Sequence, residues 1–280
     1  MASPKKENPV DRIPVVSLVA DFLYSKGIYN FFCKNIAKIA IAIFAILQKV
    51  KETFDQILNK KDYETLVNAL WIVNHMDKKL EGICSISSSV CDNILCKIRQ
   101  KIKNCICSHC YAYNQQAFQT GLREHNILNG IILRNVLIPV KFFKLLKIVF
   151  PYLRIESFGD TANVIQARNY LRIIKAFPEK RCAIWSKNIG IWNQAIQIEG
   201  KPKNTTYIHS SLKVNQTDDV SKYDFVDHVF TVFTKKFAKE HNIIINCGGK
   251  KCMQCILEKK NCYFRISKKN NTFFINELLK

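Results

Sequence analysis

Four cysteines towards the C-terminus have the type and spacing to hold a metal. Cys247-Gly248-Gly249-Lys250-Lys251-Cys252-Met253-Gln254-Cys255 is followed by Cys262. C-x4-C-x2-C with a later cysteine is the spacing by which plant-type ferredoxins wrap an iron–sulfur cluster. Gly248 and Gly249 let the backbone turn tightly around a bulky group, and Lys250 and Lys251 offset the charge of several thiolates. Four thiolates also make a closed tetrahedral zinc site, so zinc is the competing metal. A second group, Cys105-Ile106-Cys107-Ser108-His109-Cys110-Tyr111-Ala112, contains a C-x2-C pair, Cys107 and Cys110. Metal binding and thiol–disulfide exchange both use that spacing. An exchange motif opens a helix after a strand, whereas this pair follows a lysine-rich helical stretch, which argues against exchange and leaves metal binding or no special role. The two groups either share one site or hold one metal each, and the spacing leaves both open.

The rest of the chain must position these ligands. It has 280 residues, 48% hydrophobic and 23% charged, enough for one sizeable core plus an extension. Twelve cysteines could imply a secreted disulfide scaffold, but the polar start Met1–Pro9 lacks the apolar stretch of a signal peptide. The expectation is a reducing, cytoplasmic setting in which cysteines serve as ligands or small core residues; Cys33 and Cys182 read as core. Lys and Arg number 43 against 22 acids, a formal net charge of +21. That balance favours an anionic partner, nucleic acid above all, although Lys, Asn and Ile are abundant throughout.

From Ile13 to about Leu58 the pattern is helical and basic, with Ile36, Ile39, Ala40, Ile43 and Leu47 on one face. Its longest apolar run, Ile39 to Leu47, is too short to span a bilayer, though such a helix can lie on a membrane surface. A second helical pattern covers Tyr63 to Leu80. Residues 1–80 are therefore read as a helical extension and 81–280 as a metal-binding α/β core. Within the core, helical segments are expected over about 114–129 and 133–150. After Pro151 the chain alternates: a strand at Leu153–Phe158, a helix at Ala162–Phe177 capped by Asp160 or Thr161, and a strand at Arg181–Lys187. A helix near Ile191–Ile198, strands at Thr205–Leu212 and His228–Phe233, a helix at Lys235–His241 and a last strand at Ile243–Asn246 follow. Alternation of this kind predicts parallel βα units, an α/β layer or a partial barrel. In such folds ligands sit beyond the carboxyl ends of the strands. Ser157 and Asp160, then Ser186, Lys187 and Asn188, then Ser210 and Ser211 stand at three such ends. Loops and helix caps use the same residue types, so it is the set that draws notice.

Cys107-Ser108-His109-Cys110-Tyr111-Ala112, Arg154-Ile155-Glu156-Ser157-Phe158-Gly159-Asp160, Ala183-Ile184-Trp185-Ser186-Lys187-Asn188 and Cys247…Cys252…Cys255…Cys262-Tyr263 occur in that order. Together they resemble the phage and prophage proteins grouped as "gene product eighty-eight"-like, over about residues 82–265. That family is in turn similar to radical SAM enzymes. The resemblance implies a partial parallel βα barrel, an iron–sulfur (4Fe–4S) cluster held in part by Cys107 and Cys110, and S-adenosylmethionine as cofactor. It also implies a barrel mouth bearing the catalytic candidates Asp160, Lys187 and Ser210, with Cys247, Cys252, Cys255 and Cys262 as an auxiliary-cluster region. Radical SAM enzymes place three cysteines as C-x3-C-x2-C; here the position four before Cys107 is Lys103, and Cys105 lies two before it. Three functions follow: an iron–sulfur enzyme acting on an unidentified, nucleic-acid-type substrate; a non-catalytic zinc- or cluster-stabilised nucleic-acid-binding module; or an interaction protein docked through its extension.

Overall fold

The computed structural model describes residues 58–76, 80–247 and 274–279. The helical pattern over 13–57 and the ligand candidates Cys252, Cys255 and Cys262 lie outside them. The chain falls into two compact units, Met1–Leu70 and Trp71–Lys280. In the first, helix α1 spans Lys60–Asn68. Its start is fixed by a capping box: the Asn59 side chain accepts from the Lys61 and Asp62 amides, and Asp62 accepts from the Asn59 amide. The helix read over Tyr63–Leu80 thus begins three residues earlier and ends at Asn68. Val73 and Asn74 beyond it are a strand.

The second unit is an α/β structure around a seven-stranded sheet. Its strands are β1 (Val73–Asn74), β2 (Ile83–Ile86), β3 (Tyr152–Ile155), β4 (Arg181–Ser186), β5 (Thr205–Ser210), β6 (His228–Phe233) and β7 (Phe274–Leu278), and they lie side by side in chain order. β1 is antiparallel to β2; every other neighbouring pair is parallel. Helices α2 (Ile94–Gln100), α3 (Tyr111–Phe118), α4 (Thr120–Asn135) and α5 (Val140–Phe143), with a 3-10 turn at Ile106–His109, fill the connection from β2 to β3. α6 (Val164–Ala176) joins β3 to β4, α7 (Ile189–Glu199) joins β4 to β5, and α8 (Lys235–Glu240) follows β6.

From β3 to α8 the chain forms the predicted elements with ends shifted by a few residues. α6 starts at Asn163, whose side chain accepts from the Gln166 amide, rather than at Asp160 or Thr161. It stops before Pro178, and its Ala167, Tyr170, Leu171 and Ile174 are fully buried. Tyr170 stacks on Trp192 of α7 at 6.3 Å, and Trp192 meets Tyr207 of β5 at 5.7 Å. Both helices therefore cover the sheet face that carries Tyr207. By strand alternation Cys182, Ile184 and Ser186 share that face, while Arg154, Trp185, Ile208 and Phe230 belong to the other. Cys182 is core as expected, its thiol pushed up to about 12 by burial.

Ile243–Asn246, read as the last strand, is not one. The Ile243 amide turns back to the Ala238 carbonyl, with Asn242 in the left-handed region at φ 52°, and so closes α8. The sixth parallel strand is instead Phe274–Leu278; the Asn246 and Cys247 amides donate to its Asn276 carbonyl, Asn246 Nδ2 donates to the Phe274 carbonyl at 3.1 Å, and Asn246 Oδ1 accepts from the Asn276 amide at 2.8 Å. Among the described residues no helix is long and apolar enough to cross a membrane.

Candidate functional site

The carboxyl ends of β2, β3 and β4 converge on two buried carboxylates. The first is Glu156, directly after β3. It sits at φ 60°, and its carboxylate accepts from the Ser88 amide at 3.0 Å, the Ser88 hydroxyl at 2.7 Å, Gln166 Nε2 at 2.9 Å and the Tyr170 hydroxyl at 2.8 Å. Left-handed backbone at a non-glycine residue is costly and persists only where its surroundings hold it; here four donors do so. Burial pushes the Glu156 carboxyl up to about 7, against the pull of Ser88 and Tyr170, and the nearby Asp160 adds to the rise. Gly159 is needed beside it, because a Cβ there would collide with the Ser88 carbonyl oxygen and the Glu156 carboxylate.

The second is Asp160. Its carboxylate accepts from the Ser186 hydroxyl at 2.6 Å, the Lys187 amide at 3.2 Å, the Thr161 amide at 2.9 Å and Arg99 Nη1 at 3.2 Å. Arg99 reaches on to the Asn188 side-chain oxygen, and Asn188 donates to the Thr161 carbonyl. Asn93 joins this group to α2. Its Oδ1 caps the Leu95 and Cys96 amides while its Nδ2 donates to the Asp160 carbonyl at 2.6 Å. Cys96 and Arg99, three residues apart on α2, therefore face the loop after β3 together.

Lys187 stands at the meeting point. Burial disfavours its ammonium, yet attraction to Cys107, Asp160, Cys96 and Cys110 in their ionised forms outweighs that effect and raises it above its ordinary value. Cys96 belongs to a buried cluster with Val90, Ala112 and Phe158, against which Cys91 and Cys110 pack. Cys107 is in the 3-10 turn, which is tied to the end of β5 by the Ile106 amide donating to the Leu212 carbonyl at 2.8 Å. The Tyr111 hydroxyl donates to the Ser157 carbonyl at 2.6 Å and ties α3 to the same end of the sheet. Burial pushes the Cys107 thiol up to about 12 despite Lys187, and the Cys96 thiol rises for the same first reason. Thiols held this high are protonated and weak as nucleophiles near neutrality, whereas a bound metal displaces the proton.

Of the expected site residues, the fold brings Asp160, Lys187, Cys107 and Cys110 to one place. Ser210 is buried at the end of β5, on the sheet face opposite Ser186, and forms no hydrogen bond with Asp160 or Lys187. Cys247 packs against the cluster of Ile83, Ala183, Ile208 and Ile275. Arg99, Glu156, Ser88 and Cys96 were not singled out from sequence. The one signal for Glu156 was a carboxylate inside the apolar end of a strand. The thiols around Lys187 are soft donors of the kind an iron–sulfur cluster uses. Among the described residues no three His, Cys, Asp or Glu side chains form a group that could hold a metal ion. No family model, curated protein or solved structure matches the chain.

Proposed function

We propose that the chain is an iron–sulfur protein built on a radical-SAM-like partial βα barrel, an enzyme whose site lies at the carboxyl ends of β2, β3 and β4. The strand order supports the barrel reading. Six parallel strands stand in chain order; right-handed crossovers, the general rule for such connections, would place them all on one face and let the sheet curl around the other. The observation that carries the cluster reading is the placing of the Cys96, Cys107 and Cys110 thiols around Lys187, at the end of the sheet where α/β enzymes bind ligands. A cluster needs thiolates spread around a bulky core rather than gathered into the shell of a single ion. When bound it would supply the electron that cleaves S-adenosylmethionine. Cys107 and Cys110 are its proposed ligands in this unit; Asp160, fixed by Ser186 and Arg99, holds the Lys187 backbone in place beside them. Cys247, Cys252, Cys255 and Cys262 are proposed to hold a second metal, a cluster or zinc.

The substrate class is proposed to be nucleic acid or a modified nucleotide, on the strength of the +21 charge. The same charge favours a second reading, a zinc- or cluster-stabilised nucleic-acid-binding module without turnover. Iron, acid-labile sulfide and zinc, measured on protein purified without oxygen, test the proposal. Iron with matching sulfide, absorbance at about 400 nm from thiolate–iron charge transfer, and saturable S-adenosylmethionine binding are the expected results. Zinc without sulfide would remove the enzyme reading and leave the binding module.

A further inference from the structure

The sheet face turned away from α6 and α7 holds a second feature, independent of the cysteines. Arg154, third of the four residues of β3, lies in a row with buried Ser85 of β2 and Ala183 of β4. An arginine in the middle of a parallel sheet normally has an acid beside it. Here the guanidinium carbon stands over the Trp185 ring, 5.0 Å from its centroid, and no ion pair or hydrogen bond engages it among the described residues. Its Nε is buried without a partner, and so is the indole N–H of Trp185. Trp185 is itself fixed by Phe230, edge-on at 5.1 Å. Ser85 Oγ bonds His75 Nε2 at 2.8 Å, so a hydrogen-bonded polar pair stands on the same face. The ring contact engages none of the guanidinium's N–H groups and leaves them available. Those form a fork that matches an oxyanion, and they do so best where water is scarce.

We infer that this face binds the oxyanion of a small ligand, a phosphate or carboxylate group, with the Arg154 guanidinium as its principal contact and Trp185 as the platform beneath. The site lies below the loops that carry Glu156 and Lys187, and a ligand anchored there would extend towards them. The inference does not depend on the cluster. It would hold for a zinc protein or for one without metal.

The test is a calorimetric titration of the full-length chain with inorganic phosphate and, separately, with acetate, at ionic strength held constant with chloride. Iron content is measured on the same samples. The expected result is saturable binding of one of the two anions, and which one saturates identifies the source. Binding should weaken by about ten- to hundredfold in Arg154→Gln, the scale of a lost charged hydrogen-bond pair, and by less in Arg154→Lys, which keeps the charge without the fork. Arg181→Gln, at the exposed start of β4, should bind as the unaltered protein does; an equal loss there would reveal diffuse attraction to a basic surface and overturn the site. Failure of both anions to saturate, or wild-type binding by a folded Arg154→Gln, would also overturn it. If Arg154→Gln fails to fold, Arg154→Lys and Trp185→Phe decide. Undiminished binding in both would refute the inference.

Discussion

The two carboxylates at the end of β3 are four residues apart in sequence and are used in opposite ways. Glu156 is enclosed by donors, and Ser88, Gln166 and Tyr170 meet both of its oxygens. Asp160 is equally buried but opens onto an unfinished group. Its neighbour Lys187 makes no side-chain hydrogen bond or ion pair among the described residues and sits instead beside Cys96, Cys107 and Cys110, with burial pushing the Cys96 and Cys107 thiols up. A buried charge with all its partners locks the strand-end loops together. A buried cation beside buried thiols leaves the other half without that closure.

Breaking the enclosed half should have the largest effect on stability. Glu156→Ala orphans four buried donors and should cost about 3–5 kcal/mol in urea unfolding. The same carboxylate makes stability depend on pH. Its folded value, about 7, lies above the ordinary 4.5, so the folded state binds the extra proton. The stability it contributes is full below about pH 4.5 and is lost as pH rises through about 7, a swing of about 3 kcal/mol. Glu156→Gln should lack that swing. The wild-type advantage over it should shrink between these limits, and a constant difference would contradict the assignment. Arg99→Gln strikes the open half; removing a charged hydrogen-bond partner from Asp160 and Asn188 should cost about 2 kcal/mol. The smallest effect should come from Glu199, which binds Arg168 and Arg172 at 2.9 Å at the end of α7, where all the cations are partly solvated. Glu199→Gln should cost about 1 kcal/mol.

These halves were unequally legible in the sequence. From β3 to β6 the hydrophobic runs alternate with capped, proline- or glycine-stopped helices, and the parallel sheet could be read directly. β2 could not, because Ile-Cys-Ser-Ile is only four residues long and lies among Cys and Ser that give no clear alternation. β7 was missed because Ile243–Asn246, a short apolar run after α8, offered a nearer candidate. Asp160 and Lys187 stood out as polar residues at strand ends. Arg99 and Cys96 lay in a lysine-rich helix, and nothing local says that this helix turns its Cys96–Arg99 side towards a loop some 61 residues away from Arg99. Glu156 was visible only as a carboxylate out of place, and its four donors come from two other elements. Partnerships made by packing, not by spacing, are what a single sequence conceals.

One comparison tests most directly whether the proposed cluster is held by Cys107 and Cys110. Iron and acid-labile sulfide per chain would be measured in oxygen-free protein for the wild type and for Cys107→Ser/Cys110→Ser, with urea unfolding as a check that the variant is folded. The prediction is that the folded variant loses both iron and sulfide in matching amounts and keeps only what the C-terminal cysteines hold. Unchanged iron and sulfide in the folded variant would contradict it.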